Sequence, residues 1–132
     1  MRLTLISIAA IVVFSGVALL RSAEPENLVA ITSTAQFDQL LKDASAKQIT
    51  VVKFGAEWCP PCQAMKPEMA KLGKANAETV RILDVDVDIN SDLAQRYQVS
   101  SIPAVYVYKD GKVTAQAVGF QSQEQLAALI AR

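Results

Sequence analysis

The residues of this chain whose type and spacing could do chemistry are its two cysteines. Cys59 and Cys62 are the only cysteines among 132 residues, and two prolines separate them. An apolar run at residues 49–54 precedes the pair, and apolar residues at helical spacing follow it. A strand that passes through Cys-x-x-Cys into a helix places the first sulfur at the helix N-terminus, where free N–H groups and the helix dipole favour negative charge. A thiol with an ordinary pKa of about 8.5 then becomes a thiolate near neutral pH. The pattern predicts a nucleophilic Cys59 that solvent can reach and a more buried Cys62.

Other functions of a cysteine pair are a structural disulfide, two inert buried thiols, or part of a zinc or haem site. A bridge between Cys59 and Cys62 closes too short a loop to stabilise the fold much. The chain contains no histidine, which excludes histidine general-base catalysis and histidine metal ligation. Two cysteines cannot fill a closed zinc site, so neither a metal nor another cofactor is expected.

The stretch Trp58-Cys59-Pro60-Pro61-Cys62 resembles the active site of the thioredoxin family. The similarity runs from about Leu28 to the C-terminus. Further matching positions are Phe54, Ala56, Glu57, Pro67, Ile102, Pro103, Lys109, Asp110, Gly111 and Gly119. The resemblance implies an α/β thioredoxin fold, with a central mixed β-sheet flanked by helices on both faces.

The local patterns are consistent with that architecture. Ser33 and Ser122 each have a glutamine three residues later, which is the capping-box spacing at a helix start, and Asp110-Gly111 is a hairpin signal. In chain order, the patterns predict strands at residues 28–31, 49–54, 81–87, 104–108 and 113–118, and helices that begin near Ser33, Cys59, Ser91 and Ser122.

The resemblance implies thiol–disulfide exchange. The Cys59 thiolate attacks a substrate disulfide, and Cys62 then resolves the mixed disulfide, which leaves a Cys59–Cys62 disulfide. Pro60 and Pro61 occupy the first helical turn, where a missing N–H is tolerated. Thioredoxins more often have glycine at the first of these positions. The presence of two prolines, Pro60 and Pro61, is expected to tune the redox potential, because two prolines stiffen the loop and remove one amide.

The family pattern also assigns a substrate-binding role to Pro103. It implies a cis proline that faces the cysteines and whose preceding backbone pairs with bound substrate. The alternative is an ordinary proline at the start of a strand. The expected apolar docking patch consists of Trp58, Pro60, Ile102, Val118, Gly119 and Phe120. For Val118 and Phe120, ordinary packing is the alternative.

Lys53 departs from the family pattern. Thioredoxins usually have an aspartate at this position, paired with a lysine that here corresponds to Asp84. A single buried charge costs several kcal/mol, so a reciprocal exchange is physically sensible. We expect a buried Lys53–Asp84 ion pair beneath Cys62, with Asp84 handling the proton of Cys62. Otherwise Lys53 extends outward and Asp84 faces water. Asp86 and Asp88 are expected to be solvated charges at the strand end.

The N-terminus contains 18 uncharged residues, 3–20, between Arg2 and Arg21. This length suits either a membrane anchor or a long signal peptide. The expected division of the chain is a membrane anchor or signal peptide at residues 1–23, a linker at residues 24–27 and a thioredoxin-like domain at residues 28–132. The domain is then periplasmic, on the inner membrane if anchored and soluble if cleaved. Without Arg2 and Arg21, 11 basic and 13 acidic side chains remain, which is unlike a nucleic-acid binder.

Three functions compete. The first is a monomeric reductase that acts on disulfides of exported proteins and takes part in electron transport from a membrane thiol donor. The second is a dithiol oxidase or isomerase, and the third is a binding or chaperone module with incidental cysteines. The proline between the cysteines and the absence of histidine there favour the reductase.

Overall fold

The computed structural model describes residues 24–44 and 48–132. The predicted anchor or signal at residues 1–23 lies outside these ranges. Within them, no helix combines the length and the apolar character needed to cross a membrane.

Nine elements follow one another in the described residues. The strands are β1 (Leu28–Ile31), β2 (Ile49–Gly55), β3 (Val80–Asp86), β4 (Ala104–Lys109) and β5 (Lys112–Val118). The helices are α1 (Thr34–Lys42), α2 (Pro60–Ala75), α3 (Ser91–Arg96) and α4 (Gln123–Ile130). The predicted elements are all present, with ends that differ by only a residue or two.

The five strands form one mixed sheet in the order β1-β3-β2-β4-β5. β3 is parallel to both β1 and β2, whereas β4 is antiparallel to β2 and β5 to β4. β2 lies in the middle and is buried from Thr50 to Gly55. This burial on both faces explains why its sequence is a nearly continuous apolar run.

Helices cover both faces of the sheet, as predicted. On one face, Val51 of β2 packs in a cluster with Met65 and Met69 of α2 and Leu126 of α4. On the other face, the cluster contains Val52 and Phe54 of β2, Phe37 of α1 and Leu93 of α3. Because successive strand residues point to opposite faces, Lys53 and Gly55 share the α2 side with Val51.

Side-chain hydrogen bonds fix the helix starts differently in three places. Ser33 accepts from the Gln36 N–H, and Ser122 and Gln125 form a complete capping box, as their spacing predicts. Asn90 stands at the N-cap of α3 but makes no capping bond with its side chain. Its amide is buried instead and donates to the Ile31 carbonyl at 3.0 Å, which ties the start of α3 to β1.

Candidate active site

Cys59 is the N-cap residue of α2. Its backbone is extended, and its Sγ accepts the Cys62 N–H at 3.3 Å. Pro60 and Pro61 fill the first helical positions, where an N–H has no intrahelical partner in any case. One helical turn separates the cysteines, their Cα atoms are 5.2 Å apart, and they form a disulfide. The first sulfur is therefore at the helix N-terminus.

Both cysteines are buried in this disulfide form. Cys62 is fully buried and Cys59 is only 3% exposed. The expectation that solvent reaches Cys59 freely is therefore wrong for this form, because Ala56, Val87 and Ile102 pack around the pair. Cys62 is the more buried of the two, as predicted.

The start of β4 brings backbone atoms next to Cys59. The Ile102–Pro103 peptide bond is cis, and the Ile102 carbonyl oxygen lies 4.0 Å from Cys59 Sγ. The Pro103 carbonyl accepts the Gly119 N–H at 2.8 Å. Gly119 has a φ of 91°, a conformation that glycine adopts without strain. The chain thus places Ile102, Pro103 and Gly119 together beside the cysteines.

Exposed apolar side chains flank this site in the sequence. Trp58 is 68% exposed and Val118 is 67% exposed, and Phe120 and Pro60 are also exposed. Ordinary packing of Val118 and Phe120, the alternative to docking, is thus not what the structure shows. Large apolar side chains left in water beside a reactive group are typical of a surface that binds another molecule.

Two aspartates expected to be simply solvated have specific partners. Trp58 Nε1 donates to Asp88 Oδ2 at 2.8 Å, and the Asp88 N–H donates to Asp86 Oδ1 at 2.8 Å. Asp88 is exposed and Asp86 is partly exposed, so both are solvated strand-end charges as expected, but each also has a specific partner. The Asp86 bond is an Asx turn, which the Asp-x-Asp spacing could have suggested. No local signal marks the Trp58 bond, since 30 residues separate its partners.

Lys53 and Asp84 form the expected ion pair. They are direct neighbours in the register of β2 and β3, and Lys53 Nζ lies 2.7 Å from Asp84 Oδ1. The Lys53 side chain is buried, so it does not extend outward. The expectation that the whole pair is buried is wrong, because the Asp84 side chain is 27% exposed. On its outer side Asp84 has only Ala30 of the edge strand β1 as its neighbour, and Ala30 is itself exposed.

Gly55 brings this ion pair close to Cys62. A Cβ added to Gly55 would lie 2.8 Å from Lys53 Cε, 3.2 Å from Lys53 Nζ and 3.3 Å from Cys62 Cβ. The ammonium of Lys53 and the Cβ of Cys62 therefore both border the space that a side chain of residue 55 would otherwise fill. Sequence reasoning missed Gly55, although its spacing of two from Lys53 on one strand was a usable signal.

A second ammonium belongs to the same region. Lys66 Nζ of α2 lies 2.8 Å from Glu57 Oε1. This hydrogen bond raises the pKa of Lys66 above its ordinary value, and the negative charges of Glu57, Asp84 and Asp86 add to the effect while partial burial opposes it. Two cavities of about 180 and 210 Å³ have Lys53, Lys66 and Asp84 in their walls.

The described part of the chain contains no group of three or more carboxylate or cysteine side chains that could hold a metal ion. Asp84, Asp86 and Asp88 serve the ion pair, the Asx turn and the Trp58 bond. The chemistry available at the site is therefore that of two sulfur atoms, a neighbouring ammonium and exposed apolar side chains.

Comparison with known proteins gives one consistent result. A family model for thioredoxin matches residues 28–132. The chain is 34% identical over 93 residues to thioredoxin of Bacillus subtilis, and the alignment covers 70% of this chain and 89% of that one. It is 41% identical over 85 residues to thioredoxin C-2 of Corynebacterium nephridii, with 64% of this chain and 79% of the relative covered.

Solved structures agree with this result. Thioredoxin NaTrxh of Nicotiana alata superposes with a TM-score of 0.75 at 28% identity and covers 84% of this chain and 96% of its own. Mitochondrial thioredoxin 3 of Saccharomyces cerevisiae, in its oxidized form, has a TM-score of 0.71 at 26% identity, with 83% and 100% covered.

Proposed function

The chain belongs to the thioredoxin family of thiol-disulfide oxidoreductases and has the thioredoxin fold, and on that premise we propose that it works as a reductase of disulfides in exported proteins. The Cys59 thiolate attacks one sulfur of a substrate disulfide and releases the other as a thiolate, which takes up a proton. Cys62 then loses its proton and attacks Cys59 Sγ, which releases the second substrate thiolate. The substrate gains two electrons and two protons, and the protein is left with the Cys59–Cys62 disulfide.

The observation that carries the direction of transfer is the small number of donors around Cys59. Its sulfur accepts one backbone N–H, that of Cys62, at 3.3 Å. Pro60 and Pro61 have no N–H to offer, and no histidine is available in the chain. Strongly oxidising dithiol proteins are oxidants because their reduced form is stabilised. A thiolate with few donors lacks that stabilisation, which favours a reductase.

The proposed compartment follows from the N-terminal sequence. Residues 3–20 form an uncharged apolar run that suits export or anchoring, so the domain is proposed to work in the periplasm. Disulfides form and persist in that compartment, which supplies clients. A membrane-embedded thiol transporter is the proposed electron donor, since exported dithiols have no access to cytoplasmic reductants.

The equilibrium reduction potential of Cys59–Cys62 tests the direction. The protein is equilibrated in glutathione buffers of graded ratio, quenched with acid and assayed for free thiols. A value near ~−270 mV is expected for a reductase. A value near ~−120 mV contradicts the proposal and favours the dithiol oxidase.

A further inference from the structure

Cys62 is a buried sulfur with a buried charge next to it. Cys62 is fully buried, and the Lys53 ammonium and Cys62 Cβ lie 3.2 and 3.3 Å from the same point above Gly55. To resolve a mixed disulfide, the Cys62 thiol must lose its proton and become a thiolate. Burial of a thiol disfavours its charged form, so Cys62 needs a compensating positive charge to ionise.

We propose that Lys53 is a positioning residue that acts through Cys62. Its ammonium, which Asp84 binds and for which Gly55 leaves room, stabilises the Cys62 thiolate in the resolving step. This rests on the proposed dithiol mechanism, in which Cys62 is the resolving sulfur. It differs from the expectation that Asp84 handles the proton, because the member of the ion pair that borders the space shared with Cys62 at Gly55 is Lys53.

The neighbouring charges decide whether the ammonium is free to act. The charged groups that face this region are Lys53 on β2, Asp84 and Asp86 on β3, Lys66 on α2, Glu57 before α2 and Glu24 before β1. Glu57 is paired with Lys66. Asp84 is 2.7 Å from Lys53 but is partly exposed, so water screens its carboxylate more than it screens the buried ammonium. Among these charged groups, Lys53 is the one whose side-chain atoms border the space above Gly55 that Cys62 also borders.

Gly55 is the residue that makes this approach possible. A Cβ at this position would come within 2.8 Å of Lys53 Cε, closer than side-chain carbons approach one another. A larger residue would push the ammonium away from Cys62. Glycine at this position leaves the space to the end of the flexible lysine side chain, which an added Cβ would displace.

The test is the pH titration of Cys62 in the reduced full-length chain. In a Cys59→Ser background Cys62 is the only thiol. The carbon NMR shift of its isotope-labelled Cβ reports ionisation, and no reagent has to reach the buried sulfur.

Lys53→Met is expected to move the midpoint to higher pH by at least about one pH unit. Gly55→Ala is expected to move it in the same direction by less, and Asp84→Asn to move it to lower pH. The control is Lys71→Met. Lys71 lies on α2 with Cys62 but is paired with Glu68, so its replacement should leave the titration midpoint of Cys62 unchanged.

A midpoint in Lys53→Met that equals that of the Lys71→Met control, or that moves to lower pH, overturns the inference. If Lys53→Met does not fold, Lys53→Gln keeps a hydrogen-bond donor for Asp84 and answers the same question. The titration is independent of the direction of electron transfer. An oxidising potential would therefore refute the reductase and leave the role of Lys53 standing, whereas an unmoved midpoint would refute only the role of Lys53.

Discussion

At the scale of single residues, Trp58 is an exposed aromatic side chain that one hydrogen bond holds in place. Its indole N–H donates to Asp88 at 2.8 Å. Trp58 is the only tryptophan in the chain, so all of the tryptophan fluorescence comes from this side chain. Asp88→Ala removes the acceptor and is expected to free the ring, which lowers the fluorescence anisotropy of Trp58. Asp110→Asn, which removes a carboxylate at an exposed hairpin position whose φ of 50° asparagine tolerates, is the control. Equal anisotropy in both variants would show that the bond does not restrain the ring.

Asn90 is a buried polar residue whose contribution to the stability of the fold can be measured. Its side chain donates to the Ile31 and Asp86 carbonyls at 3.0 and 3.2 Å. Asn90→Ala leaves these carbonyls without that donor and is expected to lower the free energy of unfolding by about 1–3 kcal/mol. Urea denaturation measures this change, and Gln95→Ala on the exposed side of α3 serves as the control. A loss no larger than that of the control would contradict the structural role.

At the scale of elements, Glu68 links α2 to α4. Its Oε2 accepts the Gln123 N–H at 2.7 Å at the start of α4, and its Oε1 is 2.8 Å from Lys71 Nζ. The Lys71 hydrogen bond, followed by the Gln123 N–H, lowers the pKa of Glu68 below its ordinary value of 4.5. A carboxyl with a lowered folded pKa stabilises the fold above its unfolded pKa, and this stabilisation is lost as the pH falls through the folded pKa.

Glu68→Gln is therefore expected to lower the thermal midpoint above about pH 5, and the difference from wild type should narrow below about pH 4. Thermal unfolding at a series of pH values measures the lowering of the midpoint and the narrowing of the difference from wild type. Glu78→Gln, at an exposed position after α2, provides the comparison. A difference that stays constant down to the acid limit would show that the charge of Glu68 does not contribute.

At the scale of the whole molecule, the proposed location is open to a direct labelling test. A membrane-impermeant maleimide is added to spheroplasts that express the full-length chain, after mild reduction. A domain outside the cytoplasm is expected to be labelled at Cys59 to about the same extent before and after lysis, and Cys59→Ser should lose most of the label. Labelling that requires lysis would place the domain on the cytoplasmic side.

Much of this architecture could be predicted from local patterns. Some features depend only on residues close together in the sequence, so local patterns are enough to predict them. These are the capping spacings at Ser33 and Ser122, the apolar run of β2 and the Asp110-Gly111 turn. The helix-start position of Cys59 follows for the same reason. The Lys53–Asp84 pair could be expected because a buried charge needs a partner.

The missed features depend on where distant segments meet. The Trp58–Asp88 bond and the tie of Asn90 to β1 join residues that are 30 and 59 positions apart. The burial of Cys59 depends on how Ile102 packs over it in the folded chain. Such contacts have no local signature, and only the assembled sheet defines them.

The central claim is that Cys59 attacks and Cys62 resolves, and trapping of the mixed disulfide tests it most directly. Reduced full-length Cys62→Ser is mixed with insulin, and the products are separated without reductant and weighed by mass spectrometry. The account predicts a covalent adduct through Cys59 that dithiothreitol releases, and at least roughly tenfold less adduct with Cys59→Ser. Equal adduct from both variants, or adduct from Cys59→Ser alone, would contradict it.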